Sequence, residues 1–144
     1  MSVFISWSGA DRDVKNVIAE KLYQENIPYW DSDEHCNSDF SQECIENIRR
    51  SQVFLIIISE ASMSSRSYVI NELIEARRME NEGLLNIVVY KVTDAPYTER
   101  FAMQLNHISD ANCVARIQKL GASGGLDAVI KRVRYLLDRR AEGM

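Results

Sequence analysis

Six consecutive apolar residues, Val53-Phe54-Leu55-Ile56-Ile57-Ile58, constrain this chain more than any other feature. A strand with one wet face alternates apolar and polar residues, and an amphipathic helix repeats at about 3.6 residues. An unbroken apolar run fits neither and reads as a strand covered on both faces, in the middle of a parallel sheet. Parallel neighbours need long crossovers, so helices must alternate with strands, and they do so along the whole chain.

The chain opens with a short buried strand, Val3-Phe4-Ile5-Ser6-Trp7. Ser8 reads as the cap of a first helix with Asp11 three residues on, and Val14, Val17, Ile18 and Leu22 form its apolar stripe. Ile27-Pro28-Tyr29-Trp30 is a second strand; Pro28 makes it begin late or lie toward an edge. An acidic loop from Asp31 to Asp39 precedes a second helix with Ile45 and Ile48 inward. A third helix runs to about Asn81 and stops at Gly83. Leu85 to Val92 is a fourth strand, followed by a short helix near Phe101, a weak strand near His107 to Ser109, and a turn at Gly121 to Gly125. A last amphipathic helix spans Leu126 to Arg139. The expectation is a flavodoxin-like three-layer α/β sandwich with a central five-stranded parallel sheet ordered 2-1-3-4-5, residues 1–139 forming one domain and 140–144 a polar tail that could begin a linker.

Open α/β sheets place ligand sites just past the carboxyl ends of their strands. Beyond Ile58 come a serine-rich loop and the third helix. At about 100° per residue, Val69, Ile70, Leu73, Ile74 and Ala76 share one apolar arc, with Asn71 and Glu75 opposite. Glu72 falls at the edge of that arc, one turn from Tyr68, where a carboxylate is half desolvated yet faces a cleft.

Composition excludes several classes. A net charge of −4 gives no basic face for a phosphate backbone. No apolar run approaches the length of roughly 20 residues that spans a bilayer. The opening MSVFISW lacks the basic region and apolar core of a signal peptide. Three cysteines (Cys36, Cys44 and Cys113) make no even disulfide framework and suit a reducing cytoplasm. His35, Cys36 and Cys44 match no usual zinc spacing, so no metal is expected. The first strand is followed by a single glycine instead of G-x-G-x-x-G, and there is no P-loop. Ser6 and Ser59 stand where a phosphoryl-accepting receiver domain needs acids. The Gly121 to Gly125 cluster lacks the preceding strand of a phosphate cradle, and neither His35 nor His107 lies near a nucleophile elbow.

Phe4-Ile5-Ser6 at the start, Asp11 heading the first helix, Tyr29-Trp30-Asp31 ending the second strand, and Ser67-Tyr68-Val69-Ile70-Asn71-Glu72-Leu73 after the third together resemble a Toll/interleukin receptor (TIR) domain, most like prokaryotic NAD+-cleaving TIR effectors. The resemblance covers essentially the whole chain. Trp7 replaces the usual Tyr, Tyr68 stands where Trp is common, and the Asp31 to Asp39 loop lacks the family's glycine and proline.

The family contains enzymes that cleave NAD+ at the nicotinamide–ribose bond and scaffolds that only recruit other TIR domains. In the enzymes the resemblance assigns catalysis to the glutamate matching Glu72. It implies NAD+ as substrate, no cofactor, other TIR domains as partners, and a loop at 31–39 lying over the site. Phe4 and Tyr68 are the aromatic walls in the TIR pattern, Trp7 and Trp30 stand next to them, and Ser6 and Ser67 can bond ribose or phosphate oxygens. Trp7 and Trp30 read equally well as edge-of-core packing, Ser67 as a local cap, and Asp11 as a helix-entry residue. The favoured reading is an assembly-activated NAD+ glycohydrolase in cytoplasmic defence signalling, with no nucleic-acid or membrane partner. The alternative is a non-catalytic TIR–TIR scaffold. A nucleoside deoxyribosyltransferase-like enzyme shares topology and a glutamate but not the order of residues in the first strand.

Overall fold

A computed structural model describes residues 2–31, 42–64, 67–116 and 123–142. Five strands form one sheet: β1 (Val3–Ser6), β2 (Tyr29–Asp31), β3 (Val53–Ile58), β4 (Asn86–Lys91) and β5 (Cys113–Ala115). All neighbours are parallel, and the order is β2-β1-β3-β4-β5. The helices are α1 (Arg12–Gln24), α2 (Gln42–Arg50), α3 (Val69–Asn81), α4 (Glu99–Leu105) and α5 (Ser123–Glu142). This is the expected flavodoxin-like sandwich, with the apolar run at its centre.

Successive side chains on a strand point to opposite faces, which divides the core in two. Val3, Ile5 and Trp7 join Leu55, Ile57, Val88 and Tyr90 under α1 and α5. Phe4 joins Phe54, Ile56, Ile58, Ile87 and Val89 under α2, α3 and α4. Every residue of β3 is buried, as a strand sandwiched between helix layers must be. Among the described residues no helix is long and apolar enough to cross a membrane.

Several local expectations are corrected. Ser8 makes no side-chain cap; a 3-10 turn at Gly9–Asp11 precedes α1 instead. The buried stripe of α1 is Lys15, Ile18, Ala19 and Leu22, while Val17 is 51% exposed. Lys15 is tolerated inside because its Nζ lies 3.7 Å from Asp31 Oδ2 and 4.8 Å from the centroid of the Trp7 ring. On α2 the inward residues are Cys44 and Ile48, one turn apart, with Ile45 only half-buried. The fifth strand is Cys113–Ala115, not residues 107–109, which lie in the turn after α4. Residues 123–125 of the expected glycine turn are already helical, and α5 continues to Glu142. There Gly125 packs so tightly that a Cβ would sit 2.5 Å from the Arg116 carbonyl oxygen. Gly83 ends α3 at a φ of 75°, which glycine adopts without strain. His35, Cys36, most of the acidic loop and the first two residues of the glycine cluster lie outside the described residues.

Candidate active site

The site grows from the carboxyl end of β1. In register across β2, β1 and β3, Trp30, Phe4 and Phe54 stand side by side. Phe4 stacks on both neighbours, with ring centroids 5.0 Å from Trp30 and 5.4 Å from Phe54. These three rings form an apolar layer of the core, with Phe4 and Phe54 fully buried and Trp30 packed against them. Ser6, two residues beyond Phe4 on the same face, stands at its rim and is fully buried.

Above it, α3 begins where its first turns must cap themselves. The Ser67 hydroxyl accepts from the Val69 N–H at 3.1 Å, and the Tyr68 carbonyl accepts from Asn71 and Glu72. Glu72 therefore sits in the first turn of α3, where the helix dipole favours an acid. Its carboxyl points down onto the sheet, and Ser6 Oγ donates to Oε1 at 2.7 Å.

Glu72 is only 6% exposed, more deeply set than the edge-of-arc position predicted from the sequence. The reason lies in packing. Because α2 stacks on α3, the buried stripe of α3 is turned toward Glu72, Glu75 and Met79, and Ile74 is left outside. Glu75, expected outside, is buried and held by Arg49 of α2 and Arg78 of α3, each at 3.2 Å. Burial is the main influence on Glu72 and raises its pKa from 4.5 to about 7; hydrogen bonds from Ser6 and Cys44 act against it by favouring the ionised form. An acid displaced this far, at the carboxyl edge of a parallel sheet, marks a candidate functional site.

The structure thus brings Glu72, Ser6, Phe4 and Trp30 together on one face. Tyr68, one turn before Glu72, is 46% exposed and is the most accessible of these aromatics. Ser67 is near but engaged in starting the helix. Trp7 is not brought to Glu72: odd-numbered β1 residues face the other way, so it lies under α1 and α5 with Arg12 and Lys15 over its ring. Its indole Nε1 is buried with no acceptor among the described residues. Asp11 also belongs to that face, where it accepts from Ser59 Oγ at 2.5 Å and lines a cleft of about 470 Å³ with Arg116. Cys44, which favours the ionised form of Glu72, is the neighbour that sequence reasoning missed, since it weighed this residue only as a disulfide partner or metal ligand. The spacing of Cys44 and Ile48 on one face of α2 was the available signal. Among the described residues no cluster of acids, histidines and cysteines could hold a metal ion.

A family model described as a TIR domain matches residues 3–120. No curated protein matches the chain. Among solved structures, it resembles the TIR domains of the activated Roq1 resistosome directly recognizing the pathogen effector XopQ, at 15% identity over 92% of this chain and 83% of that one, with a TM-score of 0.59. It resembles a chain of the RPS4 and RRS1 TIR domain heterodimer at 14% identity, covering 94% of this chain and 96% of that one, with a TM-score of 0.70. The TIR domain of the Toll-related receptor TRR-2 from Hydra magnipapillata gives 16% identity, 92% and 97% coverage, and a TM-score of 0.61. At such identities the structural likeness is one of fold; together with the family model, which spans most of the sequence, it establishes that this chain belongs to the TIR domain family.

Proposed function

We propose that this TIR domain is an NAD+ glycohydrolase of the prokaryotic effector type, cleaving the nicotinamide–ribose bond to give nicotinamide and a linear or cyclic ADP-ribose. The observation that carries the proposal is the Glu72 carboxyl, buried over the carboxyl end of β1 on the face of the Phe4–Trp30 stack and held there by the Ser6 hydroxyl. Cleavage of this bond develops positive charge on the ribose as nicotinamide departs. An ionised Glu72 stabilises that oxocarbenium-like state, and in surroundings of low dielectric the stabilisation is larger than in water. Nicotinamide leaves as a neutral molecule from a ring that already carried positive charge, so no general acid is required. Tyr68 and Trp30 would flank the nicotinamide end, with Phe4 supporting Trp30 from below; Trp7 has no part in this site.

The proposal includes control by self-assembly. A carboxyl as deeply buried as that of Glu72 must be uncovered to meet a ribose, so the competent state is a minor population of the isolated domain. Contacts with other TIR domains would raise that population and with it the apparent affinity for NAD+. The RPS4 and RRS1 heterodimer supports TIR domains as partners, and the Roq1 resistosome supports a defence role. The scarcity of cysteines supports a reducing, cytoplasmic setting.

The test is nicotinamide release, followed by chromatography, for the wild type and Glu72→Ala across a dilution series and after forced clustering through a fused oligomer. Release that rises on clustering and vanishes in Glu72→Ala is expected; full activity in Glu72→Ala removes this residue from the mechanism. The same near-closure of Glu72 favours a second reading, a TIR–TIR scaffold without chemistry. Absence of release from a folded, clustered wild type would select it.

A further inference from the structure

We infer that the cleft on the α1 and α5 side of the sheet is a second ligand site, separate from Glu72, and that it takes an α-amino acid with an apolar side chain. The cleft lies where the strand order calls for a crevice. The chain leaves β1 toward β2 and leaves β3 toward β4, so the loops after these adjacent strands part, and open α/β sheets hold ligands in such a gap. Ala10 and Asp11 line it from the first loop, Ser59 and Glu60 from the second, with Thr93 past the end of β4 and Arg116 past the end of β5. Its volume of about 470 Å³ is that of a small-molecule site.

The polar groups of the cleft are not used up by the fold. Asp11 is only 9% exposed, yet among the described residues its carboxylate receives one side-chain hydrogen bond, from Ser59 Oγ. A carboxylate has room for about four. Asp13 and Arg116 also line the cleft, and both line a narrower pocket of about 130 Å³ as well. Among the described residues neither forms an ion pair, with the other or with any neighbour. Beyond these two charges the narrow pocket is walled by Val17 and Ile18 of α1, Tyr90 of β4 and Leu126 of α5.

An acid and a guanidinium at the junction of a polar cleft with an apolar pocket match the three parts of an amino acid. Arg116 can take the carboxylate through two parallel hydrogen bonds, and Asp13 can take the ammonium. The side chain then passes between α1 and α5 toward Tyr90 and Leu126. Asp11 and Glu60 bring the lining to three carboxylates against one guanidinium, which makes the ammonium the stronger requirement and repels phosphate-bearing ligands.

The test is an NMR titration of the whole domain, observed at its methyl groups, with L-leucine, L-phenylalanine, N-acetyl-L-leucine and adenosine. Either free amino acid should give saturable shifts at Val14, Val17 and Leu126, with a Kd of about 1 mM or below. N-acetyl-L-leucine lacks the ammonium and should bind at least about tenfold more weakly, as should the free amino acids to Asp13→Asn and to Arg116→Gln. Both residues are exposed, so these variants keep the fold, which melting temperatures check. No saturable shift with either amino acid overturns the inference, and so does an affinity unchanged in both variants. Adenosine moving these methyls where the amino acids do not also overturns it, giving the cleft to a ribonucleoside instead. None of these readouts involves nicotinamide release, so the result stands whether or not Glu72 is catalytic.

Discussion

Replacing Glu72 by Gln should make the domain more stable at alkaline pH than at acid pH relative to the wild type. Burial raises the Glu72 pKa from 4.5 to about 7. Between those values the folded protein keeps a proton that the unfolded chain has released. Stability therefore falls as pH rises through this window, and the loss is complete above the folded-state value. At about 1.4 kcal/mol per pH unit, the rise costs the native state about 3 kcal/mol once the carboxyl is ionised. A glutamine side chain at this position carries no such cost. Its amide does leave a hydrogen-bond mismatch near Ser6, but that contribution does not depend on pH and cancels when the two proteins are compared at two pH values. The expected change in the stability difference between pH 5 and pH 8.5 is roughly 2–3 kcal/mol, in favour of Glu72→Gln at the higher pH. In a domain of this size that corresponds to roughly 5–10 °C in Tm. Urea and thermal unfolding of both proteins at half-unit pH intervals would measure it. A stability difference that stays constant from pH 5 to 8.5 would refute the reasoning, because it would mean that Glu72 titrates alike in the folded and unfolded chains.

The remaining predictions follow from single contacts. Ser6→Ala removes the hydroxyl that donates to Glu72 and should raise the Glu72 midpoint in a carboxyl NMR titration; an unchanged midpoint would mean the bond does not persist in solution. Gly125→Ala forces a Cβ against the carbonyl oxygens of Arg116 and Ala115, at 2.5 Å and 2.8 Å. It should cost roughly 1–3 kcal/mol by urea unfolding, and a neutral result would show that the start of α5 is not packed on the end of β5. Ile18→Ala should cost about 2–5 kcal/mol, whereas Val17→Ala should change stability by no more than about 0.5 kcal/mol. Because Ile18 is fully buried and Val17 exposed, the reverse order would mean that α1 is rotated from its described face. Nicotinamide release should climb as pH rises through about 7 with the ionised fraction of Glu72; a profile flat from pH 5 to 9 would detach this carboxyl from the rate.

The sheet was legible in the sequence because its determinants are local. An unbroken apolar run can satisfy its surface only between two helical layers, and each strand–helix alternation carries its own punctuation, as Gly83 does at the end of α3. Glu72 was legible as a candidate for the same reason: the helix period and the position past β3 are properties of the chain. β5 was not, since a three-residue strand with one buried side chain leaves no periodic signal and exists only because β4 offers it an edge. The two sides of β1 could be told apart by parity, yet which side held the acid could not, because that depended on which helices covered each face. The setting of Glu72 likewise came from outside its own helix. An apolar arc counted along α3 points toward Ile74, whereas α2, stacked on its flank, turns the buried side toward Glu72 and Glu75 and exposes Ile74. Periodicity reports what a helix can bury. What it does bury, and therefore how strongly a carboxyl is desolvated, is decided by the neighbours that the tertiary fold brings against it.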